Sequence, residues 1–308
     1  MNRRSGKYLI GVNLGFAVNR FPEPKEWVEV IHKIGGKRVQ FVADLLNPSL
    51  PPSLRAKKID ETLDLCERFG ITIDSAFTGA FTRVNHFGSE DKEVREFWLD
   101  WFEEYAKQMN AFGVTSIGGH PGILSMRNDQ DLNLRKIRVK EIAYSWGRLL
   151  DRVSSLGINT ILWEPMSISR EIGHTIEDAL EFQELLEGIG GECFKLCLDL
   201  DHGDIESGNP IDTNPVSWIK EFKNRIGALH LKQTTLDRRR NMSFTPKNNE
   251  IGTVKGEEII AALNDSSVSS LSMYLELGFR ERNPDDKNAV DDNRISLDYW
   301  INCGAQLV

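Results

Sequence analysis

A chain of 308 residues, 40% hydrophobic and 27% charged, has the balance of a soluble globular protein with a sizeable core. Its formal net charge of -8 repels phosphate backbones and argues against nucleic-acid binding. No stretch approaches the ~18 apolar residues of a membrane span, so no membrane partner is expected.

The first residues, Met1-Asn2-Arg3-Arg4, are basic but lead only into a short apolar run, Tyr8 to Val12. That pattern does not make a secretory leader. The four cysteines, Cys66, Cys193, Cys197 and Cys303, show no CxxC spacing. They are expected to be reduced residues of a cytoplasmic protein, with Cys197 as filler in an apolar strand.

Residues 8–13 have strand-like composition. Pro22 and Pro24 precede Trp27, Val28, Val30 and Ile31, which suits a helix with proline in its first turn, stopped by Gly35-Gly36. A second strand is expected over 38–44. Ser53 is a candidate cap for a helix carrying Ile59, Leu63, Leu65 and Cys66, which Gly70 ends. A third strand covers 71–77. A long loop through Arg83, His86 and Phe87 follows, and Ser89 heads the helical run 93–112. In that run Phe97, Trp98, Trp101, Phe102, Tyr105 and Met109 mark an apolar face, read as barrel packing.

A fourth strand over 114–117 closes on Gly118-Gly119-His120-Pro121-Gly122. That turn lacks the Lys-Ser/Thr ending of a nucleotide-phosphate loop. Residues 132–156 form the longest helical pattern. The fifth strand runs through Glu164. Thr175 with Asp178 resembles a helix-capping pair. The sixth strand ends on Asp199, Pro215 starts a short helix, and 226–231 is the seventh strand. The segment 232–249 is rich in Arg, Asn and Lys and reads as too polar for the core. Helix over 257–263, an eighth strand over 271–275 and helix over 295–301 complete the chain.

Eight strands alternating with helices, with no linker or composition break, predict a single α/β domain over 1–308, a (β/α)8 TIM barrel. An open doubly wound sheet is disfavoured by the candidate ligands. These lie at the ends of strands five to eight, which surround one mouth only in a barrel.

Those ligands close four apolar runs: Thr160 to Glu164, Leu196 to Asp199, Gly227 to His230 and Ser272 to Glu276. Burying one unpaired carboxylate is costly, and four strand-end ligands together are hard to explain by packing. Glu164, Asp199, His230 and Glu276 are therefore expected to converge on one divalent metal ion. Carboxylate oxygen suits hard cations, and a neutral imidazole adds affinity for manganese, iron, cobalt or zinc. The expected cofactor is Mn2+, Mg2+, Co2+ or Zn2+. Strand alternation turns Asp199 and Asp201 to the same side and does not choose between them. Asp199 is preferred because it ends the apolar run and leaves His202 three residues on, able to reach a substrate hydroxyl or orient a ligand.

Trp163-Glu164-Pro165, Asp199-x-x-His202, Leu229-His230 and Leu275-Glu276 resemble the ligand motifs of the xylose-isomerase-like TIM-barrel superfamily. That group includes sugar isomerases, ketose 3-epimerases and endonuclease IV. The order Glu, Asp with His three residues later, His, Glu is most similar to the tagatose/psicose 3-epimerase branch. The run Glu164 to Glu171 resembles the erythrulose-phosphate epimerase/isomerase proteins of tetritol catabolism.

The resemblance implies that Glu164 and Glu276 act as the acid–base pair as well as ligands. A metal chelated by a ketose carbonyl and its neighbouring hydroxyl would stabilise a cis-enediolate. One glutamate would remove the proton beside the carbonyl and the other would return one to the far face. An aldose–ketose isomerase could share this chemistry and return the proton to the adjacent carbon.

The expected partner is a small sugar or sugar phosphate, and a homo-oligomer stays open. A phosphate needs a cationic grip. Candidates are Lys232, on the inward face two residues beyond His230, Arg238 with Arg239 and Arg240 in the seventh loop, and Arg170 after the fifth strand. His120 faces the mouth and is a candidate for substrate contact. An endonuclease IV-like metal hydrolase and a non-catalytic sugar-binding protein are the alternatives.

Overall fold

A computed structural model describes residues 7–237, 241–279 and 284–308. Strands β1 (Lys7–Asn13), β2 (Arg38–Val42), β3 (Thr72–Phe77), β4 (Ser116–Gly119), β5 (Thr160–Trp163), β6 (Phe194–Asp199), β7 (Ile226–Leu231) and β8 (Ser270–Leu275) are parallel. They close in sequence order, with β8 pairing back onto β1. The helices are α1 (Pro24–Ile34), α2 (Pro52–Phe69), α3 (Lys92–Ala111), α4 (Met126–Gln130), α5 (Leu132–Val153), α6 (Ile176–Gly190), α7 (Pro215–Phe222), α8 (Pro246–Ile251), α9 (Gly256–Asp265) and α10 (Ala289–Asn302). This is the expected (β/α)8 barrel.

Alternation along the strands separates two cores. In β2, Phe41 faces outward, its ring 6.3 Å from Trp27 of α1 and 5.2 Å from Phe112 after α3. Each such fully buried aromatic is worth roughly 1.5–3 kcal/mol over an exposed one. Its neighbour Gln40 points into the barrel. There a small apolar layer of Phe77, Leu162, Cys197, Ala228 and Tyr274 forms its own cluster, apart from the core between strands and helices. Gly118 sits beside this layer because a Cβ there would come within 2.6 Å of the Leu162 carbonyl oxygen.

The aromatic face of α3 is barrel packing, as expected, except that Phe97 is 57% exposed. Phe102 lies 5.1 Å from Trp146 of α5 and 5.5 Å from Phe87. Thr175 caps α6 by accepting from Asp178 N at 3.1 Å.

Four local expectations need correction. Ser53 does not cap α2; the N-cap is Pro51, and Pro52 opens the helix without needing an N–H partner. Asp91, not Ser89, caps α3, accepting from Glu93 N at 2.8 Å. The segment after β7 is not all surface, since Gln233, Thr234 and Phe244 are buried. Gln233 makes this affordable: its amide donates to the Val254 carbonyl and accepts from Val254 N, both at 2.9 Å. The fourth strand also lies two residues later than expected, because Val114 N still bonds back to Met109 O at the end of α3.

Candidate active site

The ends of β5 to β8 deliver four side chains to one place. Glu164 follows β5, and its N–H meets Gly119 O at 3.3 Å. Asp199 ends β6 in register with His230 of β7. Glu276 follows β8 and donates its N–H to Leu231 O at 3.2 Å. One ligand atom from each of Glu164, Asp199, His230 and Glu276 lies within 4.8 Å of the others, and no second group of this kind occurs among the described residues. Glu164 is 3% exposed, Asp199 2% and His230 0%, so the two carboxylates have little water to solvate them.

Charge holds the cluster together. His230 Nδ1 lies 2.9 Å from Glu164 Oε1 and 2.8 Å from Glu276 Oε2. Lys232 Nζ lies 2.5 Å from Asp199 Oδ2 and 2.8 Å from Glu276 Oε2. Neither of those oxygens has a partner with hydrogen-bond geometry, although the ammonium is close. Burial opposes charge on Glu164, but His230 and His202 hold its carboxyl well below the usual range. Burial likewise opposes charge on Glu276, and His230 and Lys232 bring it down to about 2. Burial works against the His230 imidazolium, yet Cys197, Glu276 and Glu164 raise its pKa well above the histidine range. Three carboxylates, two of them (Asp199 and Glu276) with an oxygen short of a donor, and an imidazole nitrogen aimed at Glu164 and Glu276, fit a divalent cation.

Asp201 does not join the four. Its Oδ2 accepts from Asn241 N at 3.1 Å, and burial and the neighbouring Asp199 raise its pKa. His202 Nδ1 faces Pro165 O at 2.8 Å, and Nε2 lies 3.3 Å from Asp199 Oδ2. Gly203 permits this placement, since its φ of 109° and a backbone 1.8 Å from where a Cβ would stand exclude any side chain. His120 Nε2 lies 3.3 Å from Glu164 Oε2. Burial, reinforced by Arg83 and His202, lowers its pKa to about 4 despite Glu164, so the imidazole is neutral at neutral pH.

A cavity of about 440 Å³ opens above the cluster, lined by Glu164, Glu276, His120, His202 and Lys232 among others. That volume suits a small polar metabolite. The expected basic residues fall in different places. Lys232 lines the cavity with its ammonium turned onto Asp199 and Glu276. Arg170 is not among the lining residues, and its Nε donates to Leu124 O at 2.8 Å, bracing the fourth loop. Arg238, Arg239 and Arg240 lie outside the described residues.

Two arginines not singled out from the sequence line the cavity instead. Arg20 is engaged, donating to Phe279 O at 2.6 Å and to Asp286 Oδ1 at 2.6 Å. The Arg83 side chain is 41% exposed, and Glu171 Oε1 lies 3.6 Å away. Its signal in the sequence was only a basic residue in a long third loop. Gln40 was missed as well. It sits under His230, and its signal was a lone amide in the apolar run Val39 to Val42.

A closed barrel with an acid, base and imidazole cluster at the strand ends defines a class, and the family comparison agrees. The xylose isomerase-like TIM barrel model matches residues 28–299, and the chain belongs to that family. A D-erythrulose 1-phosphate 3-epimerase of Brucella abortus is 28% identical over 302 residues, 96% of this chain and 97% of the relative. Among solved structures, the D-psicose 3-epimerase of Clostridium cellulolyticum H10 superposes with a TM-score of 0.72 at 16% identity, over 97% of this chain and 100% of that one. A protein of Rhodospirillum rubrum named as a candidate xylose isomerase gives a TM-score of 0.84 at 21% identity, over 98% of this chain and 100% of that one. At these identities the structural likeness concerns the fold.

Proposed function

We propose that this chain is a divalent-metal-dependent 3-epimerase of a short ketose phosphate, with erythrulose phosphate as the substrate to test first. The observation that carries this reading is the meeting of Glu164 and Glu276 at His230 Nδ1, at 2.9 and 2.8 Å, from strands three places apart in the ring. Two carboxylates reaching one point from different walls suit proton removal on one face and return on the other. The Brucella relative, named for this reaction, supports the same class.

Glu164, Asp199, His230 and Glu276 would hold the ion, which when bound supplies the charge that polarises the ketose carbonyl and stabilises the enediolate. The chain's own residues do the rest. One glutamate takes the proton from C3 and the other delivers one to the opposite face. His120, neutral at neutral pH, and His202 are both on the cavity wall and are placed to bond sugar oxygens. Arg83 is the lining cation best able to turn toward a phosphate, since Arg20 and Lys232 already have close acidic partners. Erythrulose has its stereocentre at C3, so epimerisation there interconverts the enantiomers.

The test is to incubate metal-loaded protein with D-erythrulose 1-phosphate in D2O. Deuterium should enter C3 and the L-enantiomer should appear. EDTA should stop both, and added Mn2+ should restore them. With D-erythrulose 4-phosphate, whose C1 hydroxyl is free, an aldose product would replace epimerisation by aldose–ketose isomerisation. No exchange by fully metal-loaded protein would refute the enzymatic reading for this substrate.

A further inference from the structure

The hydrogen bonds beneath His230 all run in one sense, and a backbone donor fixes that sense. Gly15 N–H can only donate, and it meets Asn13 Oδ1 at 2.7 Å. Asn13 must therefore turn its amide nitrogen the other way, and Nδ2 donates to Gln40 Oε1 at 2.6 Å. Gln40 Nε2 then faces Ser75 Oγ at 3.3 Å. Ser75 Oγ donates to Tyr274 OH at 2.9 Å, and Tyr274 OH donates to Asp74 Oδ2 at 2.5 Å. Asp74 is paired with Arg38. A carboxylate can only accept, so the series is fixed at both ends, and each amide and hydroxyl between has one consistent orientation.

That orientation decides which nitrogen of His230 keeps its hydrogen when a cation binds the other. Gln40 Oε1 lies 2.7 Å from His230 Nε2. An acceptor facing a bare nitrogen at that distance would be repelled, so Nε2 holds a hydrogen. Nδ1, pointing at Glu164 and Glu276, is the atom that would give up its hydrogen to bind a cation.

We infer that Asn13 and Gln40 are positioning residues that hold His230 in its Nε2–H form and present Nδ1 to the cluster of Glu164, Asp199 and Glu276. This rests on the metal-binding role proposed for that cluster. Asn13, Gln40, Ser75 and Tyr274 are all buried, so bulk water cannot replace a missing partner. Asn13 and Gly15 also line the cavity, so the series begins in the loop that would contact substrate. Partners of this kind fix the ring and the tautomer of a ligating histidine, and their loss lowers metal affinity.

Mn2+ titration of chelator-stripped protein by calorimetry tests this, with melting curves in chelator as the check on folding. Gln40→Met keeps the volume and removes the acceptor, and it should weaken Mn2+ binding about 10–100-fold. Gln40→Glu keeps an acceptor oxygen and should bind near the wild-type level. Equal affinity in Gln40→Met and wild type would overturn the inference. His230→Gln separates the two layers of the reasoning. If the wild type binds no Mn2+, or His230→Gln binds it equally well, the metal role itself is wrong. Should Gln40→Met fail to fold, 15N NMR of histidine-labelled, Zn2+-loaded wild type decides. A proton on His230 Nε2 supports the inference, and one on Nδ1 overturns it.

Discussion

Lys232 Nζ stands 2.5 Å from Asp199 Oδ2 at the adjacent ends of β7 and β6, with both side chains nearly sealed from water. Together with His230, the ammonium lets three carboxylates share one site before any ion arrives. The same charge opposes a divalent cation a few ångströms away. Burial disfavours the charge on Lys232, but Asp199, Glu276 and Glu164 raise its pKa well above the lysine range, so it stays cationic. Lys232→Met should therefore act in two directions. The metal-free fold should lose about 3–5 kcal/mol, the cost of stripping one partner from a buried pair. Mn2+ should bind at least about tenfold more tightly once that repulsion is gone. Melts in chelator and calorimetric titration read the two effects separately. Unchanged affinity would mean that the ammonium does not compete with the ion.

Glu164→Gln and Glu276→Gln remove one proposed acid–base group each and keep the shape. Each should lower C3 epimerisation by about 10²–10⁴-fold, the range expected for losing a positioned proton carrier. Circular dichroism should show an intact barrel in both. Near wild-type turnover in either variant would end the two-base assignment.

The barrel and its ligands were legible in the sequence for one physical reason. Buried parallel strands read as apolar runs, and a charged residue closing each run has nowhere to go but the rim. Glu164, Asp199, His230 and Glu276 all carry that mark, and they meet in the structure. The supporting residues carry weaker marks. Gln40 is one amide within β2, and nothing local says that it meets a histidine 190 positions away. The basic residues are harder to read, because proximity in sequence to a ligand does not say where a long side chain turns. Lys232 turns onto the cluster, while Arg83, remote in sequence, reaches the cavity through the third loop. Ser53 and Ser89 suit helix starts by residue type alone, and Pro52 and Asp91 decide the actual ones.

Acid stability depends on Asp178. Burial works against its charge, but His174, Arg135 and the Gly173 N–H bring its pKa from 3.8 down to about 2. A carboxyl whose folded pKa is depressed contributes stability above its unfolded pKa and loses it as pH falls through the folded value. The contribution should thus be complete above about pH 4 and fade toward pH 2, amounting to about 2 kcal/mol. Asp178→Asn should be less stable than wild type by about that amount at neutral pH, with the gap closing near pH 2. Urea melts of both proteins across this range measure it. A gap that stays constant with pH would show that Asp178 acts through shape and not through charge.

Arg83 should decide whether the substrate carries phosphate. Its guanidinium lines the cavity, its side chain is 41% exposed, and its acidic neighbour Glu171 is 3.6 Å away. It can therefore swing toward a dianion at small cost. A hydrogen bond to a charged group is worth about 1.5–3 kcal/mol, so Arg83→Gln should raise KM for a ketose phosphate about 10–100-fold. The same variant should leave Mn2+ affinity unchanged, because Arg83 touches none of the four ligands. It should also leave C3 deuterium exchange with the unphosphorylated ketose at its wild-type rate, since the proton-carrying groups are intact. Equal losses on the two substrates would place Arg83 in shaping the cavity and remove it as the phosphate grip.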